Sequence, residues 1–327
     1  MKSRAVRIIL FVVVCLVSVE ILLRLVGQAY LTRYYASNAS ENARPDTVNI
    51  LSLGESSTFG LWCDPKDSYP KQLERKLREH YQDDRIRVVY PPHIGQNTSQ
   101  MSNRIKQHIE LYHPKIVILM VGAINEWACS ETHISRFVDL KSLSLKGRVK
   151  FAVFRVILGL DELRLFKVMR YIYLSGVARQ DPRFASLTKN ENYMKYNKLS
   201  IFGHAEYALW PPHGLTTRLM SNYWELLPSL WRYDVEIMIR EARQNGSKVI
   251  LMTYPAAATP VPEFIAMAEK YDLPLIRNDL SFKEFLKDKT MRQEYFFHDN
   301  WHPNAKGYSI IAQSVFDAIV SGNLLDR

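Results

Sequence analysis

The sequence has few cysteines, no internal repeats and no low-complexity tracts. Three cysteines in 327 residues leave room for one internal bridge at most, which excludes a disulfide-stapled scaffold. The lack of repeats excludes a solenoid or propeller. No nucleic-acid-binding motif appears, and the charge is not arranged for one. The formal net charge is +10, of which residues 131–220 carry +8 and residues 1–45 carry +4, leaving −2 for the rest. A near-neutral body with one basic segment does not look like a nucleic-acid-binding domain. Such a segment suits an anionic lipid surface or an anionic polymer. Potential metal ligands gather at one place, His298, Asp299 and His302, with no further donor cluster beside them. No metal and no cofactor is expected.

What is present begins with a long apolar run. Residues 1–7 are short and basic, and residues 8–27 are long enough to span a bilayer as a helix. Glu20 and Arg24 interrupt the run but stand four apart on one helical face, where they can pair. Basic residues before the span keep the N-terminus in the cytoplasm and export the body. A cleaved signal peptide with its site near Gly27-Gln28-Ala29 is the competing reading, and an uncleaved anchor is preferred. Cys15 lacks the small residue just before it that a lipoprotein site needs. Residues 28–46 are polar and read as a tether.

From residue 47 onward, strand and helix patterns alternate. Strands are expected at 48–53, 86–90, 115–121, 248–254 and 273–277. Helices are expected at 69–81, 99–112, 224–245, 262–271 and 304–321. Such alternation gives a parallel sheet covered on both faces, and the unbroken aliphatic run at 115–121 is what a doubly covered strand looks like. Residues 131–223 break the rhythm. Within them, 149–178 has helical spacing and is rich in aromatic, aliphatic and basic residues, and 181–214 is irregular. This segment reads as an insert over the active edge of the sheet, a lid or substrate platform.

Four short blocks carry the chemistry. Gly54-Glu55-Ser56-Ser57-Thr58-Phe59-Gly60 follows the first strand, and His93-Ile94-Gly95-Gln96-Asn97 follows the second. Gly122-Ala123-Ile124-Asn125-Glu126-Trp127 follows the third, and His298-Asp299-Asn300-Trp301-His302-Pro303 precedes the last helix. Acyl transfer needs a nucleophile, a base, a group to orient the base, and donors for the oxyanion. Ser56 supplies the hydroxyl, His302 the base and Asp299 the orienting carboxylate. The backbone N–H groups of Ser56 and Gly95 and the side-chain amide of Asn125 can meet the oxyanion.

The order Ser, Gly, Asn, Asp-x-x-His resembles the SGNH hydrolases, also called the GDSL esterase/lipase family. The resemblance covers residues 47–130 and 224–321 and leaves out the insert. It implies a three-layer, flavodoxin-like α/β fold with a parallel sheet of about five strands. Carried over residue by residue, it puts the nucleophile on Ser56, the acid and base on Asp299 and His302, and the oxyanion donors on Ser56, Gly95 and Asn125. Two blocks depart from the family pattern. Glu55 stands where the family has Asp, and two residues rather than one separate Gly122 from Asn125, with Glu126 in place of Asp. Together with the basic N-terminus and apolar span of residues 1–27, the resemblance to bacterial members of this family leads to the expectation of a bacterial inner-membrane protein, single-pass, with its catalytic domain in the periplasm or otherwise outside the cytoplasm. Its expected activity is a serine esterase that removes O-acyl (O-acetyl) groups from an envelope or exported carbohydrate. The alternatives are an O-acyltransferase on a glycan, a lipid acyl hydrolase and a non-catalytic scaffold. An acylated carbohydrate or lipid is thus the expected partner, besides the membrane, and the oligomeric state stays open. Cys63 and Cys129 follow the first and third blocks, and in an exported domain they are a candidate disulfide.

Overall fold

The computed structural model describes residues 2–42, 46–91, 95–180, 182, 217–256, 260–297 and 299–325. The chain opens with α1, Lys2–Asn42, a helix of 41 residues. Within it, Arg4–Ala29 is long and apolar enough to cross a membrane, with a mean hydropathy of 2.8 and none of it buried in the protein. The helix does not stop where the apolar run stops. Residues 28–42 contain no Gly or Pro to break it, and Pro45 comes only after its end. The expected tether is therefore helical as far as Asn42.

The body is a three-layer α/β fold. Strand β1, Val48–Gly54, leads through a one-turn helix α2, Ser56–Phe59, to α3, Tyr69–Tyr81. Then come β2, Ile86–Val89; α4, Thr98–Tyr112; and β3, Ile116–Met120. Two helices of the insert follow, α5, Leu145–Glu162, and α6, Arg164–Gln180. The chain resumes the alternation with α7, Leu227–Gln244; β4, Lys248–Met252; α8, Val261–Tyr271; and β5, Leu275–Ile276. Short helices α9, Asn278–Ser281, and α10, Lys289–Tyr295, precede α11, Ala305–Ser321. The five strands are all parallel and lie in the order β2-β1-β3-β4-β5.

Period-two alternation along each strand divides the core in two. Ile50, Ile118 and Ile250 point to the face covered by α3 and α11, where Leu73 and Ile311 meet them. Leu51, Leu119 and Leu251 point to the other, covered by α4, α7 and α8, where Ile105, Trp231 and Phe264 meet them. A third cluster joins the insert to the body through Ile134, Phe154, Met220 and Leu230. Its described part packs beside α7 and the 3₁₀ turn Ser221–Leu226 that precedes it. The expected irregular stretch, 181–214, falls almost wholly outside the described residues, and with it the lid reading.

The expected bridge between Cys63 and Cys129 is not formed. Both thiols are free and buried. Cys63 belongs to the cluster under α3 and α11, whereas Cys129 belongs to the insert cluster. The two loops leave the same sheet edge into different layers, so they do not present the thiols to each other. Burial pushes each thiol up to about 12.

Candidate active site

The crossover order puts β1 and β3 side by side, and the loops after them share the carboxyl edge of the sheet. β1 ends at Gly54. A Cβ there would lie 2.1 Å from Thr58 Oγ1 and 2.6 Å from the Met120 carbonyl oxygen. Only glycine lets α2 begin this tightly on the end of the strand. The turn leaves Ser56 as the first residue of α2, where backbone N–H groups have no partner within the helix.

The fourth block arrives from the far end of the chain and is folded by its own aspartate. Oδ1 of Asp299 accepts from the backbone N–H groups of Trp301 (3.0 Å) and His302 (3.1 Å), with Asn300 at φ +58° between them. The Phe297 N–H donates to the His302 carbonyl at 2.9 Å and closes the loop. This curl brings Asp299 Oδ2 to 2.6 Å from His302 Nδ1. On the other side of the ring, Nε2 lies 2.7 Å from Ser56 Oγ. Serine, histidine and aspartate are thus in one hydrogen-bonded line, half-buried.

Burial alone would raise the Asp299 carboxyl. The hydrogen bond and charge of His302, together with the two backbone donors, override it and hold the group well below the ordinary carboxylate range. A fourth donor serves the same group: Trp62 Nε1 donates to Asp299 Oδ2 at 2.9 Å. Trp62 sits at φ +75°, an uncommon conformation for a bulky residue. Its role has no sequence signal, because it belongs to none of the four blocks.

The third block is tied to the first. Gly122 N–H donates to Glu55 Oε1 at 2.7 Å. Burial raises the Glu55 carboxyl to about 8, against the backbone donors that lower it. Gly122 has φ +110°, and a Cβ there would strike the Trp231 indole at 2.5 Å. The extra residue between Gly122 and Asn125 is absorbed in a turn, with Asn125 N–H donating to Gly122 O at 3.4 Å. Asn125 ends up buried against the start of α4. Its Oδ1 accepts from Thr98 N–H at 3.0 Å, and its Nδ2 donates to Thr98 Oγ1 at 3.0 Å. An asparagine amide has two N–H donors, so the second can serve an oxyanion.

Beneath Asn125 lies a group that the motifs do not include. Asp234, on α7, is fully buried and accepts from Thr98 Oγ1 (2.7 Å), Ser99 Oγ (2.7 Å) and Ser102 Oγ (3.3 Å). Thr98 and Ser99 share Oδ2, and His133 Nδ1 lies 2.6 Å from Oδ1, the oxygen that Ser102 also reaches. With its hydroxyl hydrogen given to Asp234, Thr98 Oγ1 accepts from Asn125, which fixes the direction of the amide. An acidic residue on the apolar face of α7 was the available sequence signal.

Gly95 lies between β2 and α4 at φ +73°, exposed, with nothing within 4 Å of where a Cβ would be. The backbone there is open to an approaching ligand. Asn97, two residues on, caps α4 through Gln100 N–H at 2.9 Å and so fixes the end of that loop. His93 and His298 lie outside the described residues. Among the described residues no group of three potential metal ligands occurs.

No family model matches the chain, and no curated protein matches it. Solved structures do resemble it. One is the psychrotrophic esterase EstA from Pseudoalteromonas sp., at 13% identity and TM-score 0.44, over 84% of this chain and 98% of that one. Another is a lipolytic protein of the G-D-S-L family from Desulfitobacterium hafniense, described as putative, at 12% identity and TM-score 0.43, over 83% and 98%. A third is the acetyl xylan esterase AlAXEase, at 13% identity and TM-score 0.44, over 83% and 100%. At this distance the likeness decides neither activity nor substrate. The parallel sheet in the order β2-β1-β3-β4-β5, with the Ser, Gly and Asn blocks after its first three strands and the Asp-x-x-His block before α11, is the three-layer α/β arrangement that the sequence predicts.

Proposed function

We propose that the protein is a serine esterase working through an acyl-serine intermediate. The observation that carries this reading is the line Ser56 Oγ–His302 Nε2–Asp299, at 2.7 Å and 2.6 Å, on the carboxyl edge of the sheet. Ser56 Oγ attacks the ester carbonyl carbon while His302 Nε2 takes its proton. Asp299 holds the Nδ1–H tautomer and stabilises the imidazolium. The Ser56 and Gly95 backbone N–H groups and the Asn125 amide receive the oxyanion. The imidazolium then protonates the leaving alkoxide, and the acyl group stays on Ser56. A water, deprotonated by His302, attacks the acyl carbon, and Ser56 leaves with the proton returned.

The substrate class is an O-acylated carbohydrate of the cell envelope or an exported polymer. It rests on the resemblance of the four blocks to the SGNH family, whose anchored members often work on such groups. Helix α1 is the anchor, with the catalytic domain on the far side of a bacterial inner membrane from the basic N-terminus.

The test is release of p-nitrophenol from acetyl and longer-chain esters by the detergent-solubilised full chain, beside Ser56→Ala. Turnover in the wild type that is absent from a folded Ser56→Ala supports the reading. A folded wild type that neither turns over nor takes a serine-directed phosphonate on Ser56 overturns it.

A further inference from the structure

The insert helices α5 and α6 present an apolar surface that the body does not cover. On α5, Leu145, Val149, Val153, Val156 and Leu160 recur every three or four residues and so form one ridge. All five are exposed, Leu145 at 80% and Val156 at 63%. The opposite face of the same helix, Phe151, Phe154 and Leu158, is buried in the insert cluster. α5 is therefore apolar on two faces, and only one of them is needed for folding.

The charges lie between those two faces. At a hundred degrees per residue, Lys146 and Lys150 border the ridge on one side, and Arg148 and Arg155 border it on the other. All four are exposed. Arg148 and Arg155, with Lys141, also rim an open recess of ≈ 390 Å³ that Phe151 and Ala152 help to line. An apolar ridge flanked on both sides by long basic side chains is the pattern of a helix lying in a membrane interface. The alkyl stems reach along the apolar zone and the charged heads reach the phosphates. α6 continues the surface with Val168, Met169, Ile172 and Tyr173, all exposed.

This surface is continuous with the anchor. The first backbone N–H groups of α6 are received by a side chain of α1. Arg164 N–H donates to Glu20 Oε1 at 3.0 Å, and Leu165 N–H donates to Glu20 Oε2 at 2.8 Å. Glu20 also accepts from Arg24 Nε at 2.7 Å. The acidic residue that interrupts the apolar run thus caps a helix from elsewhere in the chain. A carboxylate at a helix N-terminus meets both unpartnered donors and the positive end of the dipole.

We propose that the α5–α6 hairpin is a second membrane element. It docks on the anchor through Glu20 and lays its ridge into the leaflet nearer the catalytic domain, with the flanking lysines and arginines on anionic phospholipid headgroups. The proposal rests on reading α1 as a membrane anchor. Two contacts with the bilayer, the span and the ridge, would fix the tilt of the domain, whereas the span alone would leave it free to swing.

The experiment uses the full chain with Cys15→Ser, since Cys63 and Cys129 are buried. Single cysteines at Val12, Val156 and Lys283 carry an environment-sensitive fluorophore in turn. The protein is reconstituted into vesicles of phosphatidylcholine with or without phosphatidylglycerol. The Val156 label should be quenched severalfold more by a chain-attached lipid quencher than by aqueous iodide, as the Val12 label is, and the Lys283 label should show the reverse. Phosphatidylglycerol should deepen the Val156 protection, and Glu20→Ala should reduce it. A Val156 label open to iodide while Val12 is protected overturns the hairpin proposal and leaves the anchor standing. A Val12 label open to iodide overturns both. Protection of Val156 from iodide without quenching from the lipid means that protein covers the ridge, either this chain's own or a second copy's, and it also overturns the proposal.

Discussion

Among the described residues, two histidine–aspartate pairs have equal length, His302 with Asp299 and His133 with Asp234, each at 2.6 Å through Nδ1. Their settings differ. Asp299 lies on a loop and its side chain is 22% exposed, whereas Asp234 lies within a helix and its side chain is 0% exposed. Nε2 of His302 faces Ser56 Oγ, and among the described residues no hydroxyl lies on Nε2 of His133. Asp234 spends its remaining capacity on three hydroxyls of α4. A short histidine–aspartate bond is therefore not what makes a catalytic site. The hydroxyl on the far nitrogen and an open sheet edge are the difference. The second pair is a brace that holds α4, the Asn125 loop and residue 133 in register.

The histidines provide the sharpest way to break the comparison. His302→Ala should lower kcat on p-nitrophenyl acetate by on the order of 10⁴-fold or more. His133→Ala should stay within about tenfold. Equal losses would put both pairs in the chemistry. The aspartates sharpen it next. Asp299→Asn should cost about 10³- to 10⁴-fold in kcat. Asp234→Asn should instead lower the unfolding free energy by about 3 kcal/mol in a urea titration, because it puts an amide donor among the buried donors that the carboxylate accepts.

A third test joins the two regions. Asn125→Ala should lower kcat by about 10²- to 10³-fold with KM nearly unchanged, as expected for a donor used in the transition state. A large rise in KM instead would make Asn125 a ground-state contact. Trp62→Phe keeps the bulk and removes the donor to Asp299, so kcat should fall by about tenfold or less.

The smallest effect concerns two carboxyls shifted in opposite directions. Asp299 is depressed in the folded protein, so its contribution to stability is present at neutral pH and is lost as pH falls through the ordinary carboxylate range and below. Glu55 is raised to about 8, so the folded state keeps a proton that the unfolded state has released. Stability should therefore fall as pH rises from the ordinary glutamate range to about 8. Glu55→Gln should flatten that slope when Tm is followed across pH, while the acid-side loss from Asp299 remains.

Much of this was legible in the sequence. The helix at 69–81 has the expected bounds, and all five strands occur where apolar runs ended in turn residues. The four blocks were legible because each is local, a few residues around a glycine or between an aspartate and a histidine. Trp62, Asp234 and His133 were not, since their partners lie 237, 136 and 101 residues away, and one residue type carries no record of such distances. The cysteines misled for the same reason. Equal proximity to two active-edge loops said nothing about which layer each thiol enters.

Glu20 shows where the boundary lies. By itself the sequence determined that residues 8–27 form an apolar helix interrupted by one acid and one base, because periodicity and hydropathy are properties of neighbours along the chain. It likewise determined that a serine, an asparagine and an Asp-x-x-His block stand at strand ends and before the last helix. Only the tertiary structure decided that Glu20 caps a helix 144 residues on, that Ser56 meets a histidine 246 residues away, and that one histidine–aspartate pair faces a hydroxyl while the aspartate of the other is fully buried. Those outcomes depend on which elements pack against which, and that is settled by burial of the whole core rather than by any local stretch.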